Sequence, residues 1–151
     1  MHVVVATDGS KQSLAAAKKL MSFADPAKIT DVSVVGVVSP YASVAFADEV
    51  TKDARADRSF REEAEDAVAT VAAVFDGWGP QVHQRIRSGS PASEIVKAAK
   101  ALGAELVVVA SGSRGLSSTV LLGSTAQRVQ QYAPCPVLVV RTPKKPRRTK
   151  T

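Results

Sequence analysis

Two kinds of apolar pattern alternate along this chain. Val3 to Ala6, Val32 to Val38, Leu106 to Ala110 and Val137 to Arg141 are short, near-continuous runs rich in valine, the pattern of strands covered on both faces of a parallel sheet. Between them the apolar positions recur at helical spacing. Leu14, Ala17 and Met21 mark a first helix, capped by Ser10 and stopped by Asp25 and Pro26. From about Asp48 to Phe75, the residues Phe60, Ala64, Ala67, Val68, Val71, Ala72 and Phe75 form one stripe, with Arg61, Glu62, Glu63 and Asp66 off it. Residues 81 to 87 alternate Val82, Gln84 and Ile86 against His83, Arg85 and Arg87, which predicts a strand near a sheet edge with one wetter face. Ser90 and Pro91 open a third helix, Ile95, Ala98, Ala99 and Leu102 give its buried face, and Gly103 ends it. Ser111 to Leu122 reads as a loop rich in Gly and Ser, and Gly123 to Tyr132 as the last helix, with Ala126, Val129 and Ala133 inward. Strands and helices thus alternate throughout. With right-handed crossovers this order predicts an α/β fold: a doubly wound five-stranded parallel sheet with helices on both faces, in a single domain.

Composition narrows the class. At 151 residues and 45% hydrophobic the chain suits one core. Its apolar runs fall far short of the roughly 20 residues of a membrane helix, and the start lacks the pattern of a signal peptide, so the expected address is cytoplasmic. The net charge of +6 is local: Lys144, Lys145, Arg147, Arg148 and Lys150 are five of the 20 basic residues, which leaves 15 against 14 acidic ones. Residues 1–142 are therefore expected to be the folded domain, and 143–151, with Pro143 and Pro146 and no large apolar residue, a basic disordered tail without a specific nucleic-acid partner. Cys135, between Pro134 and Pro136, reads as structural. His2 and His83 lie at strand ends with no ligand or carboxylate near them in sequence, so no metal site is expected.

In a sheet of this kind a ligand binds beyond the carboxyl ends of the strands, where the winding reverses. The loops after the first and fourth strands therefore carry the chemistry. The first offers Thr7, Asp8, Gly9 and Ser10: a tight turn, and a carboxylate able to accept hydrogen bonds from a base or ribose. Any strand-to-helix turn favours the same residues for turn and capping reasons. The second is more specific. Gly112, Ser113, Arg114 and Gly115, then Gly123, Ser124 and Thr125 at the expected helix start, combine close backbone approach, a cation, hydroxyls and helix donors, which suits a phosphate. Neither GxxxxGK[ST] nor GxGxxG occurs, and Asp8 is the one acid on these loops, so no catalytic residue is assigned.

These residues carry a resemblance. Asp8-Gly9-Ser10 after the first strand, Gly89-Ser90-Pro91, Leu121-Leu122-Gly123-Ser124-Thr125-Ala126 and the ending Ala133-Pro-Cys-Pro-Val-Leu-Val-Val-Arg141 resemble the universal stress proteins over almost the whole chain. The resemblance implies the Rossmann-like fold shared with adenine nucleotide alpha hydrolases. It also implies ATP or AMP as ligand, with or without magnesium, a stress-response or signalling role, and a homodimer formed through Val137 to Val140. Carried over residue by residue, Asp8 with Thr7 beside it looks like the adenine contact, the backbone near Val37 a second one, and Gly123, Ser124 and Thr125 the phosphate grip. The family's ATP-binding branch spaces its glycines as Gly, two residues, Gly, nine residues, Gly and Ser or Thr. Counted back from Gly123, the first two positions hold Ala110 and Ser113, while Gly112 and Gly115 keep the internal spacing two residues later. Three functions stay open: a nucleotide-binding regulator, a slow ATP hydrolase, and a nucleotide-free dimeric interaction domain.

Overall fold

Val3, Val4 and Val5 are all fully buried, which a strand achieves only with cover on both faces. The computed structural model describes residues 1–39, 50–111 and 119–141, and the side chains of all these except 50–59 and 119–123. In it β1 (His2–Thr7) is the central strand of a five-stranded parallel sheet of order β3-β2-β1-β4-β5. The other elements are α1 (Lys11–Phe23), β2 (Asp31–Val38), α2 (Val50–Val74), β3 (Gln81–Ser88), α3 (Pro91–Leu102), β4 (Leu106–Ser111), α4 (Thr119–Tyr132) and β5 (Val137–Arg141), with a 3₁₀ turn over Pro26–Lys28. This is the doubly wound architecture expected from the pattern, and β3 is an edge strand as its alternation predicts.

Alternation along each strand sorts the core into two layers. Val3, Val5, Val32, Val34, Val108 and Ala110 face α1 and α2, closing around Leu20, Val68 and Phe75. Val4, Ala6, Val35, Val107 and Val109 face α3 and α4, against Ile95, Ala98, Ala99, Ala126 and Val129. The first two crossovers run over one face and the last two over the other, so the winding reverses between β1 and β4. Helix ends follow local chemistry. Pro91 occupies the first turn of α3, and Gly103 ends it at φ 62°, ψ 37°, in the left-handed region that glycine enters at little cost.

One buried face and one boundary differ from the expectation. The most buried residues of α1 are Ser13, Ala16, Ala17 and Leu20, while Leu14 and Met21 pack at its flank. Helix α4 begins at Thr119, a turn before Gly123. Glycine inside a helix costs about 1 kcal/mol relative to alanine, which makes Gly123 look like a start. The stripe Ala126 and Val129 continues back to Leu122 at helical spacing, and the longer amphipathic repeat prevails.

Candidate functional site

The β1–α1 turn is built by its own side chains. Gly9 has φ +82°, and its Cα lies close enough to α2 that an added Cβ would meet Ala67 Cβ at 3.4 Å. The Ser10 N–H donates to Asp8 Oδ1 at 3.0 Å, which fixes the carboxylate over the turn. Ser10 caps α1, its hydroxyl accepting from the Ser13 N–H at 3.1 Å. Thr7 is only 6% exposed: its Oγ1 accepts from the Gly9 N–H at 3.1 Å and lies 2.8 Å from Ser13 Oγ. Its hydroxyl is thus turned into the turn, and Asp8 is the side chain at the rim.

Strand pairing explains why a crevice opens here. Between β1 and β2 the register runs to Thr7 and Gly36, which brings Val37, half-buried, level with Asp8. Between β1 and β4 it ends at Val5 and Val108, although β1 continues to Thr7 and β4 to Ser111. The two central strands therefore part over their last residues, at the reversal of winding. Ala110, at the first motif position, is a β4 residue paired with Val140, and its methyl is fully buried in the α1–α2 layer. Gly112, Ser113, Arg114 and Gly115 lie outside the described residues. On α4, Gly123 is the fifth helical residue, Ser124 is exposed and Thr125 is 4% exposed. Because α4 begins at Thr119, the N–H groups of residues 119–121 have no intrahelical acceptor, and the Gly123 N–H joins the helix ladder.

Pairing also gathers a group the sequence did not reveal. At the amino end of the sheet His83 Nε2 donates to Asp31 Oδ1 at 2.9 Å, His2 Nε2 lies 2.7 Å from Ser33 Oγ, and Arg85 Nε donates to Ser33 Oγ at 3.3 Å. His83 thus has the carboxylate that its sequence neighbours lack, because Asp31 is brought to it across the β2–β3 ladder. Burial holds the His2 imidazole below its ordinary pKa, the charges of His83 and Arg85 add to this, and Asp31 opposes it. The hydrogen bond from His83 holds the Asp31 carboxyl below its own ordinary value. Among the described residues no three His, Cys, Asp or Glu side chains are grouped to hold a metal ion. Cys135 is half-buried against the α3–α4 layer, and burial raises its thiol pKa. An open groove of about 720 Å³, lined by Pro26, Ile29, Thr30, Trp78 and Pro80, also sits at the amino end, away from the crevice. No described helix is long and apolar enough to cross a membrane.

Comparison with known proteins agrees with this architecture. The model of the Universal stress protein family matches residues 1–141. Universal stress protein MJ0531 of Methanocaldococcus jannaschii is 37% identical over 145 residues, which span 95% of this chain and 83% of that one. Among solved structures, that of the hypothetical protein MJ0577 superposes with a TM-score of 0.80 at 24% identity, covering 95% of this chain and 97% of its own. A universal stress protein family protein of Arabidopsis thaliana, solved with AMP bound, superposes with a TM-score of 0.67 at 18% identity, covering 93% and 91%.

Proposed function

Because this chain belongs to the universal stress protein family, we propose that the crevice between β1 and β4 binds ATP or AMP and that the protein works as a nucleotide-responsive regulator in a stress or signalling response. The observation that carries this is the parting of the two central strands after Val5 and Val108, at the end of the sheet that carries the Asp8 turn and from which the chain leaves β4 toward α4. In this reading the base lies between Asp8 and the backbone at Val37, over the turn held by Thr7. The phosphates meet the free N–H groups of residues 119–121, with magnesium joining them where the nucleotide is ATP. Helical side chains lean toward the amino terminus of their helix. Ser124 and Thr125 therefore project toward the first turn, and Gly123, lacking a Cβ, leaves that turn uncovered. Arg114, with Gly112, Ser113 and Gly115, completes the phosphate side. The AMP held by the Arabidopsis thaliana protein of the same fold supports an adenine nucleotide here.

The role is binding rather than turnover, since phosphoryl transfer wants a base or a metal-holding carboxylate near the terminal phosphate and the flanking loops offer Asp8. A homodimer through β5 belongs to the same proposal: β5 is an edge strand whose Val137, Leu138, Val139 and Val140 stay half-exposed, and a second copy would cover them. One observation favours the nucleotide-free dimer as second reading: the first two motif positions are Ala110 and Ser113, and the Ala110 methyl is committed to the core. Mass spectrometry of the purified, denatured protein decides between them, together with calorimetry against ATP, ADP and AMP with and without magnesium. Nucleotide released, or heat at micromolar to millimolar ligand, carries the first reading; neither signal carries the second.

A further inference from the structure

Ser13 is a polar residue in an apolar place. It is fully buried on the face of α1 that otherwise holds Ala16, Ala17 and Leu20, and a hydroxyl buried there is costly unless its hydrogen bonds are made. They are made in one direction only. Ser13 Oγ donates to the Ser10 carbonyl at 2.8 Å, and that oxygen can only accept. The single Ser13 proton is thereby committed, so at the 2.8 Å contact with Thr7 Oγ1 it is Thr7 that donates. Thr7 Oγ1 has then given its own proton and accepts the Gly9 N–H at 3.1 Å. A second bond fixes the far end, where the Ser13 N–H meets Ser10 Oγ at 3.1 Å. The chain of donors runs Gly9, Thr7, Ser13, Ser10. The Ser10 N–H in turn donates to Asp8 Oδ1 at 3.0 Å, which ties the chain of bonds to Asp8.

We infer that Ser13, which faces the core and not the crevice, is the positioning residue of the Asp8 turn: its hydroxyl orients Thr7, and Thr7 holds Gly9 at its positive φ before any ligand arrives. The inference rests on the nucleotide reading of the crevice for its ligand, while the hydrogen-bonded chain itself stands on the described geometry. A turn held in advance need not be ordered on binding, so the relay contributes to affinity through pre-organisation. It also explains why Thr7, a residue of the crevice loop, keeps its hydroxyl out of the crevice.

The test compares Ser13→Ala, Thr7→Val, Thr7→Ser and the Thr7→Val/Ser13→Ala double variant. Amide hydrogen exchange at Gly9 is followed by NMR, and ATP affinity by calorimetry. Ser13→Ala and Thr7→Val should each speed Gly9 exchange roughly tenfold and weaken ATP by roughly five- to tenfold. Thr7→Ser, which keeps the hydroxyl, should restore both. Because the links act as one unit, the double variant should do no worse than either single one. Unchanged Gly9 exchange, or double-variant losses equal to the product of the single ones, would overturn the relay even if the melting temperature falls, since a merely structural serine lowers Tm without loosening Gly9. If Ser13→Ala does not fold, Thr7→Val against Thr7→Ser carries the same decision. If the wild type takes up no ATP, the nucleotide reading falls alone, and Gly9 exchange still decides whether Ser13 holds the turn.

Discussion

The two ends of the sheet are built on opposite plans. At the amino end each pair of neighbouring strands is joined by a backbone bond just at or before the ladder. Thr30 N–H donates to the Met1 carbonyl at 2.9 Å, Gln81 to Thr30 at 3.0 Å, Glu105 to His2 at 2.9 Å and Val107 to Pro136 at 3.0 Å. Above these bonds the side chains of Asp31, Ser33, His83, Arg85 and His2 join the first three strands again. At the carboxyl end Gly89 N–H reaches the Val38 carbonyl at 3.0 Å between β2 and β3, while β1 and β4 part after Val5 and Val108. A parallel sheet tolerates such an opening because the continuous valine layers on both faces hold the strands together below it. The densest cross-strand bonding and the proposed binding crevice thus lie at opposite ends, and substitutions at one end should leave the other's readout unmoved.

The largest effect is expected at the carboxyl end. Gly123→Val puts a branched side chain over the first turn of α4 and should weaken ATP or AMP by roughly 100-fold or more, about 2.7 kcal/mol in binding. The same change replaces glycine within a helix by a better helix former, so Tm should stay level or rise slightly. Calorimetry and a thermal melt on one sample check both. Loss of binding together with a collapse in Tm would break the comparison, because it would make Gly123 a packing residue. Next in size is Ser33→Ala at the amino end. Ser33 is fully buried and answers both His2 and Arg85. Its loss removes both bonds, and because His2 and Arg85 are reached by water the cost is roughly 1 kcal/mol, or about 2–4 °C in Tm. Nucleotide affinity should not change, and a matching loss of ATP binding would show that the two ends communicate.

The fold was legible because strand runs and helical stripes agree along the chain. Val3 to Ala6 or Val137 to Arg141 can hardly be anything but strands between capped helices. The candidate site was legible in part. Asp8, Gly9 and Ser10 announce a turn, and the order of elements puts that turn at the reversal of winding. Ser13 was missed because a serine reads as polar and outward. Its signal was the spacing Ser13, Ala16, Ala17, Leu20, which marks a buried face once a partner for the hydroxyl is granted. The start of α4 was misplaced because Gly123 resembles a boundary, whereas Leu122 belongs to the stripe. The pairing of His83 with Asp31 depends on strand register across residues far apart in sequence, which no local pattern carries. The shifted glycines Gly112 and Gly115 fall outside the described residues.

A smaller effect comes from pH and belongs to the amino end alone. With its folded pKa below the ordinary value of 6.5, His2 binds a proton less readily in the fold than in the unfolded chain. Its contribution to stability is therefore fully present above that ordinary value and is lost as pH falls through the lower folded one. His2→Gln keeps a hydrogen-bonding partner for Ser33 and does not titrate, so the variant's Tm should fall less steeply than the wild type's below pH 6.5. His2 is partly solvated, which limits the difference to on the order of 1–2 °C. Parallel melts across pH 7 to 5 check it, and a wild-type slope equal to the variant's would remove His2 from the account. Asp31, held low by His83, adds a second loss only in more acidic solution, below its ordinary 3.8.

The smallest effect is expected from ending the chain after Thr142. The nine residues that follow hold five basic side chains and no large apolar one, so they have nothing with which to bury a core, and Tm should stay within about 1 °C of the full chain. The place where they depart still matters. β5 is parallel to β1 and β4, so Arg141 ends it on the same side of the sheet as the crevice. Five cations leaving from that side raise the potential felt by an anionic ligand, weakly and through solvent. Truncation should then weaken ATP by about twofold at low ionic strength and not at all at 0.15 M salt or above, where exposed charges more than about 8 Å apart are screened. AMP, with fewer phosphate charges, should respond less than ATP. A drop of many degrees in Tm would instead mean that the last residues pack on the domain. A loss of affinity that persists in high salt would place one of these cations in direct contact with the phosphates.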